Sequence, residues 1–276
     1  MFESFLKEKQ YLTNVSPRTL EWYSQALTWL ETESPDERAL KNVVISMRAG
    51  GLKARSVNSY RTAINSYLHW HGGSDKKCSP QCPHPTIPRM KDEQKILPVY
   101  SSMDISTFVH WKAKSRCERR LQVIVLALAD TGTRISELLG LRWQDVNLQD
   151  LLVTVTGKGN KSRTIPFSLE LRKHLFKLQK ESKFDLVFCN RDGGVLGRRN
   201  VLRDVKLLCK KLRVKIPERS LHAFRHSFAL HYIQKSGSPF LLQKALGHTT
   251  LDMTKRYVNL STADLAAVHQ KLSLLA

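Results

Sequence analysis

Apolar side chains recur every three or four residues through most of this chain, so most of it is expected to be helical. The first 73 residues yield four short helices. Phe2, Phe5 and Leu6 share one face over residues 1–12. Ser16-Pro17 offers an N-cap and a first-turn proline to a second helix carrying Leu20, Tyr23, Leu27 and Leu30. Ser34-Pro35 opens a third, through Leu40, Val43, Val44 and Met47 to the breaker Gly50-Gly51. The fourth runs from Ala54 to His71, with Val57, Tyr60, Ile64, Tyr67 and Leu68 inward, and stops at Gly72-Gly73. Residues 74–98 then lose the periodicity; Lys76, Lys77, Pro80, Pro83, Pro85 and Pro88 read as a basic linker between two domains.

The pattern resumes near Val99. Helices are expected over Asp104 to about Ser115 and, nearly all apolar and so buried on most sides, over Arg119 to Asp130. Gly132 breaks that helix and another starts beside Arg134. Residues 151–156 and 162–166 read as the strands of a hairpin, with Leu186-Val-Phe188 as a third strand. Helices return over Leu169 to Lys180 and Arg198 to Leu212. At the end, Ser261-x-x-Asp264 resembles a capping box, and Leu265, Val268, Leu272 and Leu275 form one apolar stripe. The fold class is therefore mainly α: an all-α N-terminal domain over 1–73, the linker 74–98, and an α+β domain over 99–276 with a small antiparallel sheet.

Charge changes this picture more than composition does. The net charge is +21 over 276 residues. Residues 1–73 carry +2 of it and residues 74–276 carry +19. Such a balance calls for a polyanionic partner. No apolar run approaches the ~20 residues that span a bilayer, and no signal-peptide pattern is present, so a cytoplasmic protein without a membrane partner is expected. Five scattered cysteines suggest reduced thiols. Cys78, Cys82 and His84 have loose spacing and no fourth ligand nearby, so no metal is expected there.

The candidate chemistry lies mostly in the last quarter: His222 and Arg225, then Leu246-Gly-His248, then Lys255-Arg-Tyr257. No Asp or Glu accompanies them at ligand spacing. Cations and donors that hold phosphoryl oxygens, with a tyrosine hydroxyl to attack, make a site for a phosphate diester. His222 and Arg225 stand three apart on one helix and point the same way. His226 and His231 read as hydrogen-bonded core histidines. Arg134 emerges from a packed region, and Glu137, three residues on, is placed to orient its guanidinium. Lys158 hangs from the hairpin turn. Lys53, Arg55, Asn58 and Arg61, on the first turns of the fourth helix, suit phosphate and base-edge contacts as well as they suit a solvated face. Lys161 and Arg163 on the hairpin are further candidates for DNA contact.

The order of these pieces resembles a known family. Ala129-Asp-Thr-Gly-Thr-Arg134-Ile-Ser-Glu137-Leu-Leu-Gly-Leu resembles the first arginine box of the tyrosine recombinases, or phage integrase family. Gly157-Lys158-Gly159-Asn-Lys-Ser-Arg163 is similar to its hairpin lysine motif, His222-Ala-Phe-Arg225 to its His-x-x-Arg box, and Leu246-Gly-His248 with Tyr257 to its closing histidine and nucleophile. The first domain is similar, less specifically, to the family's SAM-like core-binding domain. The resemblance implies cleavage and rejoining of DNA strands through a 3′-phosphotyrosyl bond, with Tyr257 as nucleophile. Arg134 and Arg225 would hold the non-bridging oxygens. His222 would accept the tyrosine proton or bond the phosphate, His248 would donate to it, and Lys158 would protonate the leaving 5′ oxygen. It implies no cofactor. The implied partners are double-stranded DNA with inverted half-sites, further copies of the chain (a dimer per site, a tetramer in synapsis) joined through the C-terminal helix, and an accessory directionality protein. A type IB topoisomerase-like relaxing enzyme and a non-catalytic DNA-binding regulator on the same fold are the alternatives.

Overall fold

A computed structural model of the chain describes residues 2–73, 84–92, 97–157, 161–236, 238–247, 250, 251, 254 and 257. The chain divides into two compact units, Met1–Lys95 and Ile96–Ala276.

The first unit is the expected four helices: α1 (Glu3–Tyr11), α2 (Pro17–Leu27), α3 (Glu37–Ala49) and α4 (Ala54–His71). Ser16 caps α2 by accepting from the Thr19 N–H. The third helix starts later than Ser34-Pro35 suggests, because Asp36 is its cap and accepts from the Ala39 N–H at 2.7 Å. Phe5, Leu27, Met47, Ile64 and Tyr67 fill the core. The Phe5 ring meets Tyr23 and Tyr67 edge-on, the arrangement that ring quadrupoles favour.

The linker is not free throughout. Ile87 is 1 % exposed and belongs to this core, a burial that stabilises by about 2–3 kcal/mol. Asn65 donates to the Ile87 carbonyl and accepts from its N–H, both at 3.0 Å. Asn58 does the same for Met90, both at 2.9 Å. Arg61 Nε donates to the Ile87 carbonyl at 2.7 Å. Two side-chain amides one heptad apart thus pair with an extended backbone as a neighbouring strand would. His84, on the same segment, shares a 2.8 Å hydrogen bond with His69. Cys78 and Cys82 lie outside the described residues.

The second unit is built around α6 (Arg116–Thr131), whose residues Val123 to Leu128 are all buried. Before it comes α5 (Ser102–His110). The boundary between the two differs from the periodic reading for a local reason. Ser115, expected inside the first helix, caps the second by accepting from the Glu118 N–H at 3.1 Å. Gln122 closes α5 by donating to the Phe108, Val109 and Trp111 carbonyls. After α6 come α7 (Ile135–Leu139) and strands β1 (Val146–Asn147), β2 (Leu152–Thr156) and β3 (Ser162–Pro166). They form one antiparallel sheet in that order, with Val153 opposite Ile165 and Val155 opposite Arg163. The third strand is therefore Val146–Asn147; Leu186 makes only an isolated bridge to Arg142. Helices α8 (Leu169–Lys180), α9 (Arg198–Lys211), α10 (Ser220–Ser236) and α11 (Pro239–Leu246) complete the described part, with α8, α9 and α10 all packing on α6. Among the described residues no helix is long and apolar enough to cross a membrane. The C-terminal stripe from Leu265 to Leu275 lies outside the described residues.

Candidate active site

The site begins at the break between α6 and α7. Gly132 caps α6 in the left-handed region at φ 61°. A Cβ there would lie 2.3 Å from the Phe228 ring, so both the backbone and the space require glycine. The tight elbow sets Arg134 at the start of α7. Its backbone N–H donates to Glu137 Oε2 at 2.9 Å and its Nη1 to Oε1 at 2.8 Å. The predicted Arg134–Glu137 pairing is thus present, and it doubles as the helix cap.

Glu137 holds a second guanidinium. Arg163 on β3 donates from Nη2 to Oε2 at 2.8 Å and from Nη1 to Oε1 at 3.2 Å. Its Nε donates to the Ala245 carbonyl at 3.1 Å, near the end of α11. Arg163, expected on DNA, instead ties the hairpin to both helices, with its side chain only 14 % exposed. Burial works to raise the Glu137 pKa, but hydrogen bonds from Arg163 and from the Arg134 backbone and side chain outweigh it, and the pKa is pushed down to about 2. The carboxylate is therefore ionised at neutral pH and balances two cations.

Arg225 enters from α10 and is buried. Its Nη1 donates to the Gly132 carbonyl at 2.7 Å and its Nη2 to the Leu246 carbonyl at 2.8 Å. It thereby joins the elbow to the end of α11. Burial, then repulsion from Arg134 and Arg163, pulls its pKa down to about 10, so it remains charged at neutral pH. His222, one turn earlier on α10, is half-buried. Burial first, then the guanidinium groups of Arg198, Arg219, Arg225 and Arg134, hold its pKa below the usual histidine value. Near neutral pH it is mostly the uncharged imidazole.

Tyr257 is buried at 4 % exposure, packed with Ala229, Ile233, Leu242 and Leu246 from α10 and α11. Its hydroxyl lies 2.8 Å from His226 Nδ1. The reading of His226 as a core histidine missed this partner. His231, given the same role, is exposed. The missed signal was spacing: His222, Arg225 and His226 stand at i, i+3 and i+4 and share one helical face.

Lys158 and His248 lie outside the described residues, but the glycines before them do not. A Cβ on Gly157 would sit 3.2 Å from Glu137 Oε1, and one on Gly247 would sit 2.8 Å from Arg163 Cδ. Both chain segments therefore pass against the same Glu137–Arg163 pair. On the first unit Lys53 and Arg55 are exposed, whereas Asn58 and Arg61 bind the 87–90 segment. Lys161 is exposed on the hairpin. Among the described residues no three His, Cys, Asp or Glu side chains gather as metal ligands.

Known proteins share this fold and much of this sequence. The tyrosine recombinase XerC of Xanthomonas campestris is 29 % identical over 97 % of this chain and 86 % of its own length. XerA of Pyrococcus furiosus is 28 % identical over 96 % of this chain and 91 % of its own length. Among solved structures, the Tn1549 transposon integrase with transposon right-end DNA superposes with a TM-score of 0.76 at 19 % identity, covering 96 % of each chain. The XerH recombinase in a post-cleavage complex on palindromic difH superposes at 0.74 and 20 % identity, covering 99 % of this chain and 83 % of that one. The sequence pattern of the phage integrase family matches residues 101–264, which span the elbow, the hairpin, α10, α11 and Tyr257. With more than half of its length under that pattern, the chain belongs to the phage integrase family, the tyrosine recombinases.

Proposed function

We propose that Tyr257 is the nucleophile with which this site-specific recombinase cuts DNA, leaving a 3′-phosphotyrosyl bond and a free 5′ hydroxyl. Tyrosine has a reference pKa near 10, so attack at neutral pH needs a proton acceptor and a cationic cradle for the phosphate. Arg134 and Arg225 are the cradle. Their guanidinium groups are planar and multi-donor, and they stay charged. Each is fixed before substrate arrives, Arg134 by Glu137 and Arg225 by two carbonyls, which is the preorganisation that favours developing negative charge. Neutral His222 bonds a phosphate oxygen, His248 donates to the same phosphate, and Lys158 protonates the leaving 5′ oxygen. The phosphotyrosyl bond conserves the energy of the diester, so rejoining needs no ATP.

The carrying observation is convergence. Arg225 and the His226 contact to Tyr257 lie on one face of α10, and Arg225 reaches the elbow that bears Arg134. The substrate in this reading is double-stranded DNA with inverted half-sites, held by exposed Lys53, Arg55 and Lys161 among other bases. The Tn1549 integrase and the XerH recombinase, both solved on DNA, support it. Two copies would bind each site and four would form the synapse, linked by the C-terminal stripe, with an accessory protein setting direction, in the cytoplasm. The match to XerC and XerA along nearly the whole chain favours recombination over relaxation by a monomer.

Incubation with a nicked suicide substrate, followed by a denaturing gel, tests the nucleophile. Wild type should accumulate a covalent protein–DNA adduct, while Tyr257→Phe should bind the DNA and form none. Adduct from the Phe variant would move the nucleophile elsewhere.

A further inference from the structure

We infer that His226, rather than His222, takes the proton from the Tyr257 hydroxyl when it attacks DNA and returns it when the strand is rejoined. The inference rests on the reading of Tyr257 as nucleophile and adds a residue to it. Three observations carry it. His226 Nδ1 lies 2.8 Å from the Tyr257 oxygen, within range for direct proton transfer. The ring centroids lie 5.9 Å apart with the planes tilted by 43°, so the rings do not stack and meet through the phenol oxygen and Nδ1. Tyr257 also lies close enough to Arg225 to interact with its charge, so a phosphate held by Arg225 would lie beside this pair.

His222 sits in a different setting. It is half-buried and feels the positive charge of Arg198, Arg219, Arg225 and Arg134. Those cations oppose a positive charge on the imidazole but favour a neutral ring that bonds phosphate oxygen. The two histidines of one helical face thus divide the work: His222 on the phosphate, His226 on the nucleophile.

His226 starts neutral, with its proton on Nε2 and Nδ1 as acceptor. The Tyr257 O–H bond breaks, and its proton goes to Nδ1. The phenolate oxygen bonds to phosphorus, the P–O5′ bond breaks, and the 5′ oxygen leaves with a proton from Lys158. In rejoining, the 5′ hydroxyl returns its proton to the neutral Lys158 amine and attacks phosphorus, the P–O bond to tyrosine breaks, and the tyrosine oxygen departs, recovering its proton from His226. No oxidant, metal or nucleotide enters.

Single-turnover adduct formation on the nicked substrate tests this with the full-length chain at saturating DNA. Wild type must form adduct and Tyr257→Phe must not; otherwise the reading beneath the inference has failed, and the inference with it. Given that result, His226→Ala should slow adduct formation by about 100-fold or more, the scale of general base catalysis. Added imidazole should restore at least tenfold of the loss, more so for ring-substituted imidazoles of higher pKa. His226→Asn, which places an amide near the Nδ1 position and guards against a folding defect, should bind DNA normally and stay slow. The inference is overturned if His226→Ala cleaves within threefold of wild type or faster, the latter meaning that the contact only restrains the nucleophile. It is equally overturned if His226→Asn regains the wild-type rate, or if imidazole leaves the alanine variant unchanged.

Discussion

Glu137 shows how much of this site depends on one side chain. Its carboxylate is 3 % exposed yet accepts from the Arg134 backbone and from both guanidiniums. A buried charge is tolerable only with such pairing, and removing one partner leaves the others uncompensated. The pairing also fixes a pH signature. Its folded pKa, about 2, lies below the reference value of 4.5. A carboxylate depressed in this way stabilises the fold above its unfolded pKa and loses that contribution as pH falls through its folded pKa. From the shift, its contribution should drop from about 3 kcal/mol at pH 6 to about 1 kcal/mol at pH 3. Urea unfolding of wild type and Glu137→Gln across that range measures it. The gap between the two should narrow in acid; a gap constant from pH 6 to pH 3 would mean that the carboxylate's ionisation adds nothing. At this scale the Arg134–Glu137 spacing was legible in the sequence, because i, i+3 is a local relation. Arg163 and His226 were not, because their partners lie 26 and 31 residues away, and hydrogen bonds over such separations are set by packing.

At the scale of elements, the sequence revealed types and periods well and junctions less well. Helix α4 ends where Gly72 ends its apolar pattern, and the β2–β3 hairpin follows its glycine-bearing turn. The α5–α6 junction moved because Ser115 and Gln122 act across it, a polar detail that apolar periodicity does not carry. The third strand was misplaced because a two-residue strand such as β1 leaves no alternation to read. The α6–α7 elbow is the junction on which the site depends. Gly132→Ala forces a side chain into the left-handed region, costing about 1–2 kcal/mol, and overpacks against Phe228, costing about 1–3 kcal/mol more. A loss of roughly 2–5 kcal/mol in denaturant unfolding is expected by summing those two effects. A loss below about 1 kcal/mol would show that Phe228 yields and that the elbow is not rigid. Adduct formation should fall as well, because the Gly132 carbonyl is one of the two that fix Arg225.

At the scale of the whole molecule, the net charge of +21 makes binding to a polyanion a salt-dependent equilibrium. Each phosphate neutralised adds about 0.9 to the negative slope of log K against log salt, so an enzyme closing on a duplex with six or more phosphate contacts should show a slope of about −5 or steeper. The same measurement separates two kinds of polar residue on α4 that composition could not tell apart. Arg55 is exposed, and its removal should reduce the slope by about one while leaving stability within about 0.5 kcal/mol. Asn58 is committed to the Met90 backbone. Asn58→Ala should keep the wild-type slope and lose about 1–3 kcal/mol of stability as two part-buried hydrogen bonds go. Fluorescence-anisotropy titrations from low to physiological salt, with parallel thermal melts of each variant, give both quantities. If Asn58→Ala flattens the slope and leaves the melt unchanged, the amide belongs to the DNA surface, and the 87–90 segment is held by Asn65, Arg61 and the burial of Ile87 alone.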